Sequence, residues 1–154
     1  MTSTTLPPFH LALPVHDIDA ARHFYGEVLG FDRGRSADRW TDWNVDGHQV
    51  VTHQVDNHRN AVAGTNPVDG HDVPVPHFGL VLSVDRFQEL AHRLTEAGTD
   101  FVIEPYVRFQ GEPGEQWTIF SSTRPATLWS SRRFRTSRSS SPSEPGPTNP
   151  RWRA

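Results

Sequence analysis

The 154-residue sequence contains no cysteine and no lysine. The missing cysteine excludes a disulfide framework, a zinc–thiolate centre and a thiol nucleophile. The missing lysine excludes Schiff-base chemistry and a phosphate-binding P-loop, and all fifteen basic side chains are arginines. No apolar run approaches the roughly 18 residues of a membrane-crossing helix, and no basic-then-apolar leader opens the chain, so a soluble, cytoplasmic protein is expected. Hydrophobic residues are scarce too, at 34%. That suffices for one ordinary core only if part of the chain stays outside it.

Charge locates that part. Residues 1–120 carry 8 Arg against 17 Asp and Glu, a net of −9, whereas residues 121–154 carry 7 Arg against the single Glu144, a net of +6. All nine histidines lie in the acidic part. The Ser/Arg/Pro-rich tail has too few apolar residues to offset the entropy of ordering and is expected to be disordered. At face value it reads as an arginine–serine segment for nucleic acid. Only Trp129, Phe134 and Trp152 interleave with it, however, and no nucleic-acid fold accompanies it, so nucleic acid is not the expected partner.

Before the tail, one order of elements occurs twice. Phe9–Val15 alternates as a strand, and Asp17 caps a helix with an apolar stripe of Ile18, Ala21, Phe24, Tyr25, Val28 and Leu29, ended by Gly30. Trp40–Val45 and Gln49–Val55 flank the turn Asp46-Gly47 and read as a hairpin. Residues 56–75 are polar and rich in Asn, Gly, Asp and Pro, so a loop or linker is expected there. His77–Leu82 restarts the pattern as a strand, and Asp85 is expected to cap a second helix striped by Phe87, Leu90, Ala91, Leu94 and Ala97. Strands Phe101–Ile103 and Gln116–Phe120 follow, flanking a loop at Glu104–Glu115, and no convincing strand comes after Phe120. Each copy opens with a strand histidine, His10 or His77, followed two residues on by Ala12 or Gly79 on the same face. A lone strand histidine is ordinarily a surface residue. Two at matching positions of a repeat, each beside room for an ion, point to metal ligands.

The peptide His10-Leu-Ala-Leu-Pro-Val15 with Asp17-Ile-Asp-Ala-Ala-Arg-His-Phe-Tyr-Gly-Glu-Val-Leu-Gly30 resembles the vicinal oxygen chelate superfamily of glyoxalases, bleomycin-resistance proteins and extradiol dioxygenases. His77–Leu82, Glu104–Phe109 and Gly111–Phe120 resemble the second module of its single-domain bacterial members. The resemblance implies an α+β fold of two βαβββ modules forming a half-barrel around a metal or ligand cavity, with the last strand of the second module missing or aberrant. Module one spans 8–56, the linker 57–75 and module two 76–120 of a domain covering 6–120, followed by the low-complexity tail 121–154. It implies a divalent metal (Fe, Mn, Zn or Ni), a small-molecule substrate and a homodimer, with no membrane partner.

Carried over by position, His10 and His77 are the metal ligands. The first-module glutamate position falls on Val51 of Gly47-His-Gln-Val-Val51, and no carboxylate lies between Glu115 and Glu144. The third, carboxylate ligand is therefore absent from a set that, complete, would resemble the 2-His-1-carboxylate site of non-haem iron enzymes. A family-like ending, Phe-Leu-Asp-Pro-Ala-Gly-Asn-Ala-Leu-Glu-Phe-Lys-Ala-Phe, written in GC-rich codons and read one base out of register, yields the Ser121–Phe134 peptide, its Glu codon contributing to Trp129 and Ser130. Residues from about 121 onward are expected to be out-of-frame translation.

Further candidates are His53, which shares strand parity with Val51 and would serve as a proton shuttle or substrate contact, and Arg108, whose guanidinium fork suits a substrate carboxylate or enediolate. Tyr106 and Arg108 are the expected substrate-binding pair, on a loop that is either a lid or a plain connection. His23, His48 and His92 are expected at the surface. Two functional classes stay open: a metal-dependent dioxygenase or lyase/isomerase, inactivated by loss of its carboxylate, and a metal-free, antibiotic-sequestering binder on the same fold.

Overall fold

The computed structural model describes residues 6–56 and 64–122 and the backbone of 123 and 127–132. The described residues fall into two compact units, one holding residues 6–56 and the other those from 64 onward.

In the first unit, β1 (His10–Val15) leads into α1 (Ile18–Arg22), which continues as a π-helical segment (His23–Val28), and β2 (Asp32–Ala37), β3 (Trp40–Val45) and β4 (His48–Gln54) follow. Asp17 caps α1 as its sequence predicts, its Oδ1 accepting from the N–H groups of Asp19 and Ala20 at 2.9 Å each. Gly30, at φ 75°, terminates the helical run. The sheet order is β1-β4-β3-β2, with β1 parallel to β4 and the other pairs antiparallel. Asp46-Gly47 makes the β3–β4 turn with both residues at positive φ.

Helix and sheet meet on one face. Tyr25 stacks on Trp43 at 5.7 Å, and a Cβ on Gly26 would sit 3.3 Å from the same indole, so glycine lets the helical backbone approach it. Trp43 Nε1 donates to Thr52 Oγ1 at 3.0 Å, and Arg22 Nε donates to Thr41 Oγ1 at 3.1 Å. Val15, Ile18, Phe24, Val28, Leu29 and Val50 complete this buried layer. The alternation of the strands sends His10, Ala12, Asp42, Gln49, Val51 and His53 to the opposite, helix-free face.

In the second unit, β5 (Gly64–Val68) and β6 (His71–Val75) form a hairpin, followed by β7 (Phe78–Val81), α2 (Val84–Glu96), β8 (Phe101–Arg108), β9 (Gln116–Thr123) and β10 (Thr127–Arg132). The four-stranded sheet has the order β7-β10-β9-β8, with β7 parallel to β10, repeating the first unit's topology strand for strand. The expected α+β pair of βαβββ modules is therefore the observed one. Leu82, Phe87, Leu90, Leu94 and Ile119 are buried, and Phe87 meets Trp117 edge to face at 6.0 Å.

Four local expectations are revised. Residues 64–75 of the expected linker form a hairpin, because Asp69-Gly70 adopts the same paired positive-φ turn as Asp46-Gly47. Ser83, not Asp85, caps α2, since the helix starts two residues earlier and leaves Asp85 in the first turn, where its charge suits the helix dipole. β8 runs on to Arg108, so Tyr106 and Arg108 sit on a strand and the following loop is shorter than expected. The second module's last strand, expected to be missing or aberrant, is formed in backbone at Thr127–Arg132, so its aberration lies in its sequence; residues 121–123 complete β9, and the tail from 133 lies outside the described residues. His58 also lies outside them.

Candidate functional site

His10 and His77 belong to different units, yet each ring is held in the same way. His10 Nδ1 lies 2.8 Å from Gln49 Oε1, its register partner on β4. His77 Nδ1 lies 2.7 Å from the carbonyl oxygen of Pro74. Both oxygens only accept, so each Nδ1 carries a proton, and Nε2 is the ring nitrogen left to offer a lone pair. Oxygen partners of this type hold the tautomer of a metal-bound histidine. His77 is half-buried with its ring edge-on to Phe120 at 5.0 Å, and His10 is exposed.

The carboxylate fails to appear in either copy. Val51 is the register partner of Ala12, and Ser130 is the register partner of Gly79. These are equivalent positions of the repeat: each lies on the strand parallel to β1 or β7, opposite the small residue two places after the histidine, His10 being the first residue of β1 and His77 immediately preceding β7. Position 130 is also where the out-of-register reading puts its glutamate. Among the described residues, no three His, Asp or Glu side chains gather so as to hold a metal ion. An imidazole with no carboxylate at the equivalent position of its own repeat lacks charge compensation, so neither unit's residues fit a complete divalent-metal centre.

His53 is exposed on β4, opposite Trp40 on β3, and shares the helix-free face with Val51 as its parity predicts. Asp42 lies on that face too, at 4% side-chain exposure, bonded by Arg35 Nε at 3.3 Å. Sequence reasoning passed over this carboxylate, although its place between Trp40 and Asn44 fixed its parity.

In the second unit, Tyr106 and Arg108 share one face of β8, opposite Thr118 and Gln116 of β9. The hairpin covers this face: Val68 and Val73 pack with Ile103, Tyr106 and Phe120. Arg108 Nη2 pairs with Asp69 Oδ2 at the hairpin turn, and the His71 ring lies 4.4 Å from that of Tyr106. The remaining histidines have ordinary surface roles. His23 pairs with Glu27 one helical turn on, His48 Nδ1 accepts from the Phe9 N–H at 3.0 Å, and His16 and His92 are exposed.

A twice-repeated βαβββ unit, each copy carrying a histidine at its start, defines the class of two-module βαβββ domains. The profile of the Glyoxalase/Bleomycin resistance protein/Dioxygenase superfamily matches residues 8–118, and the chain belongs to this family. Similar solved structures include a glyoxalase/bleomycin resistance protein/dioxygenase from Alicyclobacillus acidocaldarius (26% identity over 83% of this chain and 91% of that one, TM-score 0.64). The fosfomycin resistance protein FosX of Listeria monocytogenes shares the fold at 13% identity, over 84% and 94% of the two chains, with TM-score 0.62. An integron cassette protein from the Halifax Harbour sewage metagenome does so at 17% identity, over 84% and 100%, with TM-score 0.60. No curated protein matches the chain.

Proposed function

We propose that this chain is a small-molecule-binding member of its family that holds its ligand without a resident metal, in the manner of an antibiotic-sequestering protein. One observation carries the reading: both repeat-equivalent carboxylate positions are non-ligating, Val51 in the first unit and Ser130 in the second. Tyr106 and Arg108 are the proposed ligand contacts, the guanidinium offering a two-pronged donor to an acidic ligand and the phenol an aromatic wall. His53, on β4 of the first unit, is a separate candidate contact. The reading includes a cytoplasmic homodimer, which sedimentation equilibrium would test by returning twice the chain mass.

The fixed Nδ1 protons of His10 and His77 favour a second reading, a metal-dependent dioxygenase or lyase/isomerase. There His10 and His77 would hold Fe, Mn, Zn or Ni, and the ion would supply Lewis acidity to two adjacent substrate oxygens. Metal analysis of the purified full-length chain separates the two. Negligible metal after dialysis, unchanged by His10→Ala, supports the binder. A stoichiometric ion lost on His10→Ala or His77→Ala supports the enzyme and overturns the binder.

A further inference from the structure

The Arg108 side chain is 14% exposed, and its Nε has no hydrogen-bond partner. Its strand neighbours share the deficit. Gln116 Oε1, directly opposite on β9, and Thr118 Oγ1, one pair further along and 1% exposed, are buried without partners. Buried polar atoms are nearly always bonded. A donor, an acceptor and a hydroxyl left open together on one sheet face therefore make a polar patch suited to a ligand.

What already sits on that patch is a carboxylate. Asp69, at φ 49° in the tight turn of the β5–β6 hairpin, pairs with Arg108 Nη2 and is itself 43% exposed. The hairpin bearing it has two strands of five residues each. An isolated pair of that size is marginal in water. It stays down through Val68 and Val73, the His71–Tyr106 ring contact, the His77–Pro74 hydrogen bond and the Asp69–Arg108 pair. Few buried contacts mean a low opening free energy.

We propose that the Asp69 turn is a tethered competitor: its carboxylate occupies Arg108 in place of that of a small ligand, and a small carboxylate displaces it to accept from Arg108 and the Thr118 hydroxyl. This rests on Arg108 as ligand contact in the binder reading, and it adds the ligand class and the latch that opposes it. It does not depend on whether metal is present, so metal analysis and the test below fail separately.

The test titrates benzoate and pyruvate into the full-length chain by saturation-transfer NMR, with amide hydrogen exchange of residues 68–75 as a second readout. Asp69→Asn keeps the side-chain size and a residue suited to positive φ, but removes the competing charge. It should tighten carboxylate binding by about 5-fold, the scale of one partly exposed ion pair. Arg108→Met should abolish binding in both backgrounds. Carboxylate should speed exchange in the hairpin of the native chain and leave it unchanged in Arg108→Met. If Asp69→Asn lowers the melting temperature without tightening either carboxylate, the pair is structural and the proposal is overturned. Absence of binding to both the native chain and Asp69→Asn overturns it equally.

Discussion

At the scale of single residues, Thr52 links the indole of the first unit to its sheet. It is fully buried, accepts from Trp43 Nε1 and lies 3.3 Å from the Thr41 carbonyl oxygen to which it donates. Thr52→Val keeps the shape and strands a buried indole N–H, so stability should fall by about 1–3 kcal/mol in urea denaturation. Ligand contacts on the other unit should be untouched. Asp42 is a different case, a buried carboxylate paired with Arg35, whose side chain is 73% exposed. Arg35→Met leaves the charge buried without that donor and should lower the urea midpoint by more than removal of an exposed pair would, the latter costing about 0–1 kcal/mol. His10 and His77 were legible because a repeat marks equivalent positions. Their oxygen partners were not. Gln49 lies 39 residues from His10, and Pro74 contributes a backbone carbonyl, which no side-chain pattern reveals.

At the scale of elements, Asp17 is the clearest case of a local signal setting a local structure. It takes two of the four orphan N–H groups of α1, and Asp17→Ala should cost about 1 kcal/mol, measured by thermal or urea unfolding. Both helices were legible from their apolar stripes, and the β3–β4 hairpin from Asp46-Gly47. Asp69-Gly70 carried the same turn chemistry but was masked by its surroundings. Gly64, Asn66, Pro67 and Pro74 lower strand propensity, and β5–β6 owes its place to packing on Tyr106 and Phe120 rather than to preference. The same override lengthens β8 past Pro105: antiparallel pairing with β9 continues through Arg108, although proline and glutamate read as loop. That extension turns Tyr106 and Arg108 from residues of a mobile connection into neighbours on a rigid face.

At the scale of the whole molecule, the family and its two-module topology were readable from His10, Asp17, Gly30 and His77. The strand β10 was not, since its Ser/Arg-rich sequence contains none of the alternation that identifies a strand. Its register matters most for function, because it makes position 130 the counterpart of position 51. The account therefore predicts that Val51→Glu or Ser130→Glu strengthens metal binding. A new carboxylate should tighten binding of Zn²⁺ or Mn²⁺ by at least about 10-fold, the lower range for losing even an outer partner of a metal ligand. The gain from Val51→Glu should vanish when His10→Ala is added.

Calorimetric titration of the native chain with these ions, checked by metal content after dialysis, tests the central claim most directly. The account predicts weak binding and negligible retained metal. One tightly held equivalent, lost on His10→Ala or His77→Ala, would contradict it.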